Sequence, residues 1–280
     1  MRYLIVDMRM RGWGLGLCLI LMVWCGAGCQ FLEAIMPAEN APATTTVLLP
    51  PGKIPDWSSQ AVGIDRLDIN FSTSTASRVV IYRIALKNHR FSFEHATATA
   101  SVAEWLGRLS DAELVINGVY FQENYLPSGW LKVHDQLIGQ RQFDVDRSAL
   151  LTLQPEVAIV TGNQVPHAKN TATDAAQSYP MLVEDGAPLV KDESGKVARR
   201  TFVGVDRTHE YLYLGVVPYT SISLYELSHF LAKLPIHWKT VLNLDGGPSS
   251  GLAFRNASVS ETIDSYVTVP NVLVVRTKAQ

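Results

Sequence analysis

From about residue 60 to residue 277 the chain is built of short apolar segments that alternate with polar positions and close on Gly, Pro, Asn or Asp. A period of two suits pleated strands with one face buried and leaves little room for long helices. Val62–Phe71, Val79–Leu86, Leu114–Ile116, Met181–Glu184, Thr240–Leu244, Gly251–Phe254, Tyr266–Val269 and Val272–Val275 are expected strands. Thr201–Val205 and Tyr211–Val217 flank the polar run Asp206–Glu210 and are expected to pair as a hairpin. Only two stretches carry helix signals. Ser101-Val102-Ala103-Glu104 and Ser223-Leu224-Tyr225-Glu226 are capping boxes, each followed by apolar residues at helical spacing, and Pro235 stops the second. Strands outnumber helices and do not alternate with them as βαβ units. The expected fold is therefore α+β, with a mainly antiparallel or mixed β-sheet core and a few packed helices, in a single domain over residues 59–280.

The first 58 residues follow different rules. Arg2, Arg9 and Arg11 precede an apolar run from Trp13 to Trp24, which ends in Cys25-Gly26-Ala27-Gly28-Cys29. A basic start, a short apolar stretch and small residues make a secretory signal, too short and too Gly-rich to span a membrane comfortably. Asp7 disturbs the basic region, and a start at Met8 or Met10 leaves a cleaner signal. Gly26-Ala27-Gly28-Cys29 resembles a bacterial lipobox, with Gly26 where Leu is usual. That resemblance implies acylation of Cys29 and a membrane partner reached through the lipid anchor. Gln30, rather than Asp, after the Cys points to the outer membrane and periplasm in a host with two membranes. Residues 30–58 carry Pro37, Pro42, Pro50, Pro51 and Pro55 among Ala and Thr, and are expected to form an extended tether.

Cys18, Cys25 and Cys29 are the only cysteines, and all lie in this leader, so the body of the chain offers neither a disulfide nor a thiolate nucleophile. Its 24 basic and 26 acidic residues are interspersed, which leaves no basic footprint for nucleic acid. His89, His95, His134, His167, His209, His229 and His237 are scattered without a metal-ligand spacing. No cofactor is implied, although a divalent cation held by Asp245 and loop oxygens would leave little trace in a sequence.

Four segments are candidates for chemistry. In Val241-Leu242-Asn243-Leu244-Asp245-Gly246-Gly247-Pro248-Ser249-Ser250-Gly251, an apolar strand delivers a carboxylate to its end. The two glycines permit a tight turn and close approach to a ligand, successive amides can cradle an anion, and two hydroxyls follow. In Ile116-Asn117-Gly118-Val119-Tyr120-Phe121, a strand ends on an amide that both donates and accepts. Arg199-Arg200-Thr201 opens a strand with guanidinium groups suited to a phosphate, and Gln177-Ser178-Tyr179-Pro180 sets polar groups before the strand at Met181. Read one at a time, these are also an Asp-Gly turn, an Asn-Gly turn, a solvated edge charge and a loop.

Together, and in this order, they resemble the phosphodiester glycosidase family. Members carry an Asn-Gly-Gly-like segment, a Gln-Ser-x-Pro-like segment, an Arg-Thr strand start and an Asn-Leu-Asp-Gly-Gly-x-Ser-Ser loop. The resemblance extends to Ser128-Gly129, the helix from Ser223, and Val269-Pro270-Asn271-Val272, and so covers roughly residues 60–277. Val119 departs from it, standing where a second Gly is usual. The family's lysosomal uncovering enzyme removes N-acetylglucosamine from a phosphodiester-capped mannose. The resemblance implies a hydrolase acting on a sugar-1-phosphodiester in an envelope or extracellular glycan.

In that reaction Asp245 is expected to serve the anomeric carbon as base or nucleophile, with Arg200 and Asn117 as its catalytic partners. Arg200, the Gly246 and Gly247 amides and Ser249 or Ser250 would hold the phosphate. Asn117 and Gln177 would orient sugar hydroxyls or phosphate oxygens, with Ser178 and Thr201 beside them, and Glu123 is either a second carboxylate or a solvated loop residue. Two other readings remain. Gly247-Pro248-Ser249-Ser250-Gly251 matches the G-x-S-x-G elbow of serine esterases, which requires a helix directly after the serine. An envelope lipoprotein could also hold a phosphoglycan in the same pocket without cutting it.

Overall fold

The computed structural model describes residues 56–71, 78–139, 141 and 149–278, all within one compact unit, Thr46–Gln280. The secretory signal, Cys29 and the tether up to residue 55 lie outside the described residues. No described helix is long and apolar enough to cross a membrane.

The chain opens with strands β1 (Ser58–Ala61), β2 (Ile64–Asn70), β3 (Arg78–Ala85) and β4 (His89–Ala100), followed by helix α1 (Val102–Arg108) and β5 (Leu114–Asn117). Then come β6 (Trp130–Val133), β7 (Gln136–Gly139), β8 (Ala149–Gln154), β9 (Ala158–Val160), helix α2 (Val165–Thr171), β10 (Asp174–Ser178), β11 (Met181–Glu184) and β12 (Ala187–Pro188). The last third holds β13 (Ala198–Asp206), β14 (Tyr211–Ile222), helix α3 (Leu224–Lys233), β15 (Trp238–Asn243), β16 (Leu252–Arg255), β17 (Ser260–Ile263) and β18 (Val269–Thr277).

These strands form an eight-stranded sheet in the order β1-β2-β3-β14-β13-β15-β11-β12 and two five-stranded sheets, β7-β6-β10-β8-β9 and β17-β16-β5-β18-β4. The expected alternative of a mixed sheet resolves to antiparallel pairing at every named pair. The largest core lies where the three sheets meet. Val80, Tyr82 and Val203 from the first sheet pack there with Leu131 and Leu151 from the second and Phe93 and Ile116 from the third. Alternate residues of the first sheet, among them Val79, Ile81 and Phe202, point the other way and pack under Leu227, Phe230 and Leu231 of α3. With apolar partners on both faces, its strands read as apolar runs.

Both capping boxes form, with Ser101 and Ser223 accepting from the amides of Glu104 and Glu226 and each Glu reaching back to its cap. Elsewhere the strand expectations need correction. The run Val62–Phe71 is not one strand, because Val62 and Gly63 (φ +73°) turn the chain between β1 and β2. Tyr266–Thr268 is not a strand; β18 begins at Val269 and runs on through the residues expected to be separate. The twelve-residue β4 carries no expectation, since its second half, Ala96-Thr97-Ala98-Thr99, has no strongly apolar face to mark burial.

Gly215 on β14 faces Phe202 on β13 across the ladder, and a Cβ there would fall inside the phenyl ring. Gly215→Ala should therefore destabilise the fold by about 1–3 kcal/mol through overpacking, read as a lowered midpoint in thermal and urea melts. An unchanged midpoint would show that the two strands pack less closely than described.

Candidate active site

Strand register brings the distant segments together. β13 and β15 pair Phe202 with Asn243, and the ladder continues one step as the Leu244 amide donates to Thr201 O at 2.9 Å. One further step sets Arg200 beside Asp245, and a Cβ on Gly246 would lie 4.0 Å from Arg200 Cδ. The third sheet arrives from the other side, where β5 ends at Asn117 and Gly118 O accepts the Asp245 amide at 3.1 Å. The acid and the guanidinium thus share one end of the molecule, at the seam of two sheets.

Asn117 fastens that seam. Its Nδ2 donates to Asp245 O at 2.7 Å, while its Oδ1 accepts from Thr201 Oγ1 at 2.8 Å and from the Gly251 amide at 3.0 Å. Asn117 and Thr201 are both fully buried. Expected at the substrate, the amide and hydroxyl are here engaged in holding β5, β13 and both ends of the 245–251 loop. Gly118 is obligatory beside them, since a side chain would collide with Asn271. Val119, the departure from the family pattern, turns its side chain into the core, while the Asn271 amide brackets its backbone N and O at 2.7 and 3.1 Å.

Gln177 and Ser178 are likewise interior. Gln177 Oε1 accepts the Trp130 amide at 2.9 Å, and Gly129 leaves space for that side chain; Ser178 Oγ donates to Asn243 O at 2.7 Å. Both side chains are buried and bonded to the backbone of neighbouring strands. Three residues missed at the level of sequence stand nearer the acid. Asn243 Nδ2 lies 2.6 Å from the Tyr120 hydroxyl, 3.1 Å from Tyr179 O and 2.7 Å from Leu244 O. The Tyr120 and Tyr179 rings pack with centroids 4.8 Å apart, and both residues are partly exposed. Their signal was present, because both tyrosines lie inside the candidate segments, but an aromatic residue beside a strand reads first as core.

Asp245 is largely buried, and loss of water pushes its carboxyl up from the ordinary 3.8 to about 6. Hydrogen bonds from the Ser249 side chain and the Gly246 amide, the latter at 2.9 Å to Oδ1, oppose that shift without cancelling it. Gly246 N and Ser249, expected as phosphate donors, here bond the carboxylate. Arg200 donates from Nε to Ile222 O at 3.2 Å and from Nη2 to Lys196 O at 2.7 Å, so its plane is fixed. Burial lowers its pKa, against the fields of Tyr120 and Glu193. Burial also raises the Tyr120 phenol; the charge of Asp245 adds to that rise and Arg200 opposes it. The phenol therefore senses both the acid and the guanidinium.

The remaining candidates fall away from this group. Ser250 is fully buried, and Glu123 is exposed on its loop, as a solvated residue would be. After Ser249, which ends a 3-10 turn, the chain enters β16 and not a helix, so the esterase elbow is excluded. Among the described residues no group of three His, Cys, Asp or Glu is placed to hold a metal. Clefts of about 450 and 410 Å³ lie elsewhere, the first against α2 and the second around Glu94, His134, Asp174 and Arg276.

Comparison with known proteins bears on this geometry. A family model described as phosphodiester glycosidase matches residues 110–276, which include every segment of the site. Among curated proteins none matches the sequence. The crystal structure of a hypothetical protein from Synechocystis is similar at 16% identity and a TM-score of 0.57, over 80% of this chain and 64% of that one. The zebrafish N-acetylglucosamine-1-phosphodiester alpha-N-acetylglucosaminidase catalytic domain, auto-inhibited by its pro-peptide, is similar at 14% identity and a TM-score of 0.56, over 82% of this chain and 85% of that domain. At such identities the likeness is one of fold.

The raised carboxyl at Asp245 has a consequence for stability. A folded state that holds its proton more tightly than the unfolded chain loses stability as pH rises from 3.8 through about 6, and the full cost is present above that. Asp245→Asn should therefore stabilise the protein at pH 8 by about 1–2 kcal/mol, a discounted conversion of the shift, and leave it unchanged near pH 3.5. Thermal melts at the two pH values test this, and equal effects at both would contradict a buried, raised carboxyl.

Proposed function

The chain belongs to the phosphodiester glycosidase family, and from that premise we propose that it hydrolyses a sugar-1-phosphodiester, with Asp245 as the reacting carboxylate and Arg200 as the phosphate-binding cation. The observation that supports the reading is the placement of these two residues just beyond the last bonds of the β13–β15 ladder, with the carboxyl raised to about 6.

The chemistry needs little else. A phosphate monoester leaves as a weakly basic anion, so its departure requires charge stabilisation more than a proton. Arg200, already oriented by two carbonyls, presents the rest of its guanidinium to that charge. The Gly247 backbone, at φ +61° in the turn, approaches the same space without a side chain in the way. As the glycosidic bond lengthens, the anomeric carbon gains oxocarbenium character, which a nearby carboxylate stabilises. A carboxylate with a pKa near 6 is also a better base toward water than an ordinary aspartate, and at neutral pH it remains mostly ionised. Base and nucleophile are separated by the product: inversion at the anomeric carbon identifies Asp245 as base, retention as nucleophile. Tyr120 and Tyr179 supply an apolar wall against which a sugar ring can rest. Asn117, Thr201, Asn243, Gln177 and Ser178 act as positioning residues. Acylation of Cys29 would place this activity at the cell envelope.

Incubation of the protein with a chromogenic sugar-1-phosphodiester should release free sugar, with the rate rising through about pH 6 as Asp245 loses its proton. Asp245→Asn should lower turnover by at least a thousandfold with the fold intact. Saturable binding without release by the wild type would instead make this a glycan-binding member of its family. Arg200→Lys should cost about 10–100-fold in kcat/KM, because a point charge does not reproduce the planar fork; wild-type kinetics in that variant would remove Arg200 from the phosphate.

A further inference from the structure

Arg199, the neighbour of Arg200 on β13, is only 2% exposed and forms no ion pair among the described residues. Its Nη2 donates to Asp264 O at 2.9 Å, but Nε and Nη1 are buried without a partner. The Asp264 carboxylate makes no ion pair with Arg199, its Oδ1 accepting the Ala103 and Ser265 amides at 2.9 Å each, although its charge and that of Tyr266 partly offset the burial of the guanidinium. A guanidinium removed from water with two nitrogens unsatisfied is a costly arrangement, and proteins usually pair such a charge.

An aromatic ring lies over the Arg199 guanidinium. The Arg199 Cζ lies 3.9 Å from the centroid of Tyr266, which is itself 71% exposed. A side chain so far in solvent, on a segment that is not part of any strand, has little packing to hold it in place. A second orphaned group adjoins the same segment. Ser250 is fully buried and its Oγ has no partner, while the next residue, Gly251, abuts Ser265 N, and Tyr266 N donates to Pro248 O at 2.8 Å. Residues 264–266 therefore touch both the cation on β13 and the loop that carries the unsatisfied hydroxyl.

We propose that Arg199 is the cation of a second oxyanion site, separate from the Asp245–Arg200 pair, with Tyr266 as its movable cover, Ser250 as a further donor and a small oxyanion such as inorganic phosphate as its ligand. Successive residues of a strand point to opposite faces, so Arg199 shares a face with Thr201 while Arg200 shares one with Phe202. Anions at the two guanidinium groups would lie on opposite sides of β13. An oxyanion at Arg199 would satisfy the orphaned nitrogens and neutralise the buried charge. Burial alone lowers the pKa of this guanidinium, a cost that a bound anion relieves. The site stands whether or not the chain is a hydrolase.

Calorimetric titration of the full chain with inorganic phosphate tests this in an Arg200→Gln background, which removes the neighbouring cation. One phosphate per chain should bind. Adding Tyr266→Ala should tighten binding at least fivefold by removing the cover, and adding Arg199→Lys, which keeps the charge, should weaken it at least tenfold with the melting temperature within a few degrees. No saturable binding in the Arg200→Gln and Arg200→Gln/Tyr266→Ala proteins would overturn the proposal. So would binding indifferent to Arg199→Lys, since Arg199 would then be only a packing partner of Tyr266.

Discussion

One buried side-chain amide, that of Asn117, holds the candidate site together. Its donor and acceptor are spent on three segments: the Asp245 carbonyl, the Thr201 hydroxyl on β13 and the Gly251 amide at the far end of the loop. Each buried partner left unmatched would cost about 1–3 kcal/mol, so the three bonds weld β5 of one sheet to the β13–β15 ladder of another. Gly118 and Asn271 extend the same weld, one by leaving room and the other by bracketing Val119. No hydrogen bond from Asn117 points at solvent, and its contribution to chemistry is to fix where Asp245 stands.

That position accounts for the electrostatics. The Asp245 main chain is bonded on both sides, from N to Gly118 O and from O to Asn117, so its backbone is held at the seam. Desolvation then outweighs the two hydrogen bonds its carboxylate accepts, and the pKa stays high. The fold thus carries a cost in stability at neutral pH at the one carboxyl that its family resemblance and its geometry both single out. Such local strain on stability is characteristic of functional sites.

The sheet-rich architecture was legible because β3, β13 and β14 carry short apolar, β-branched and aromatic runs closed by polar turns, and both capping boxes state where α1 and α3 begin. Strands such as β4 and β10 were not, since Ala and Thr positions in them are decided by neighbours from other sheets. For the site, the segments were legible but the division of labour was not. Asn117, Thr201, Gln177 and Ser178 are polar residues of the kind that bind ligands, and only the third dimension shows their bonds turned inward. Conversely, Tyr120 and Tyr179 have the composition of core residues and stand at the acid instead. Arg199 and Arg200 are indistinguishable as letters; strand alternation and the 264–266 segment give them different surroundings.

The Asn117 weld keeps the Asp245 carboxyl largely out of water. Its most direct measure is the titration of that carboxyl followed by carbon NMR in protein labelled at aspartate, assigned by comparison with the Asp245→Asn variant. One aspartate resonance should titrate near pH 6 and be missing from the variant. If the resonance that disappears instead titrates in the ordinary aspartate range near 4, the carboxyl is solvated and the account of the site is contradicted.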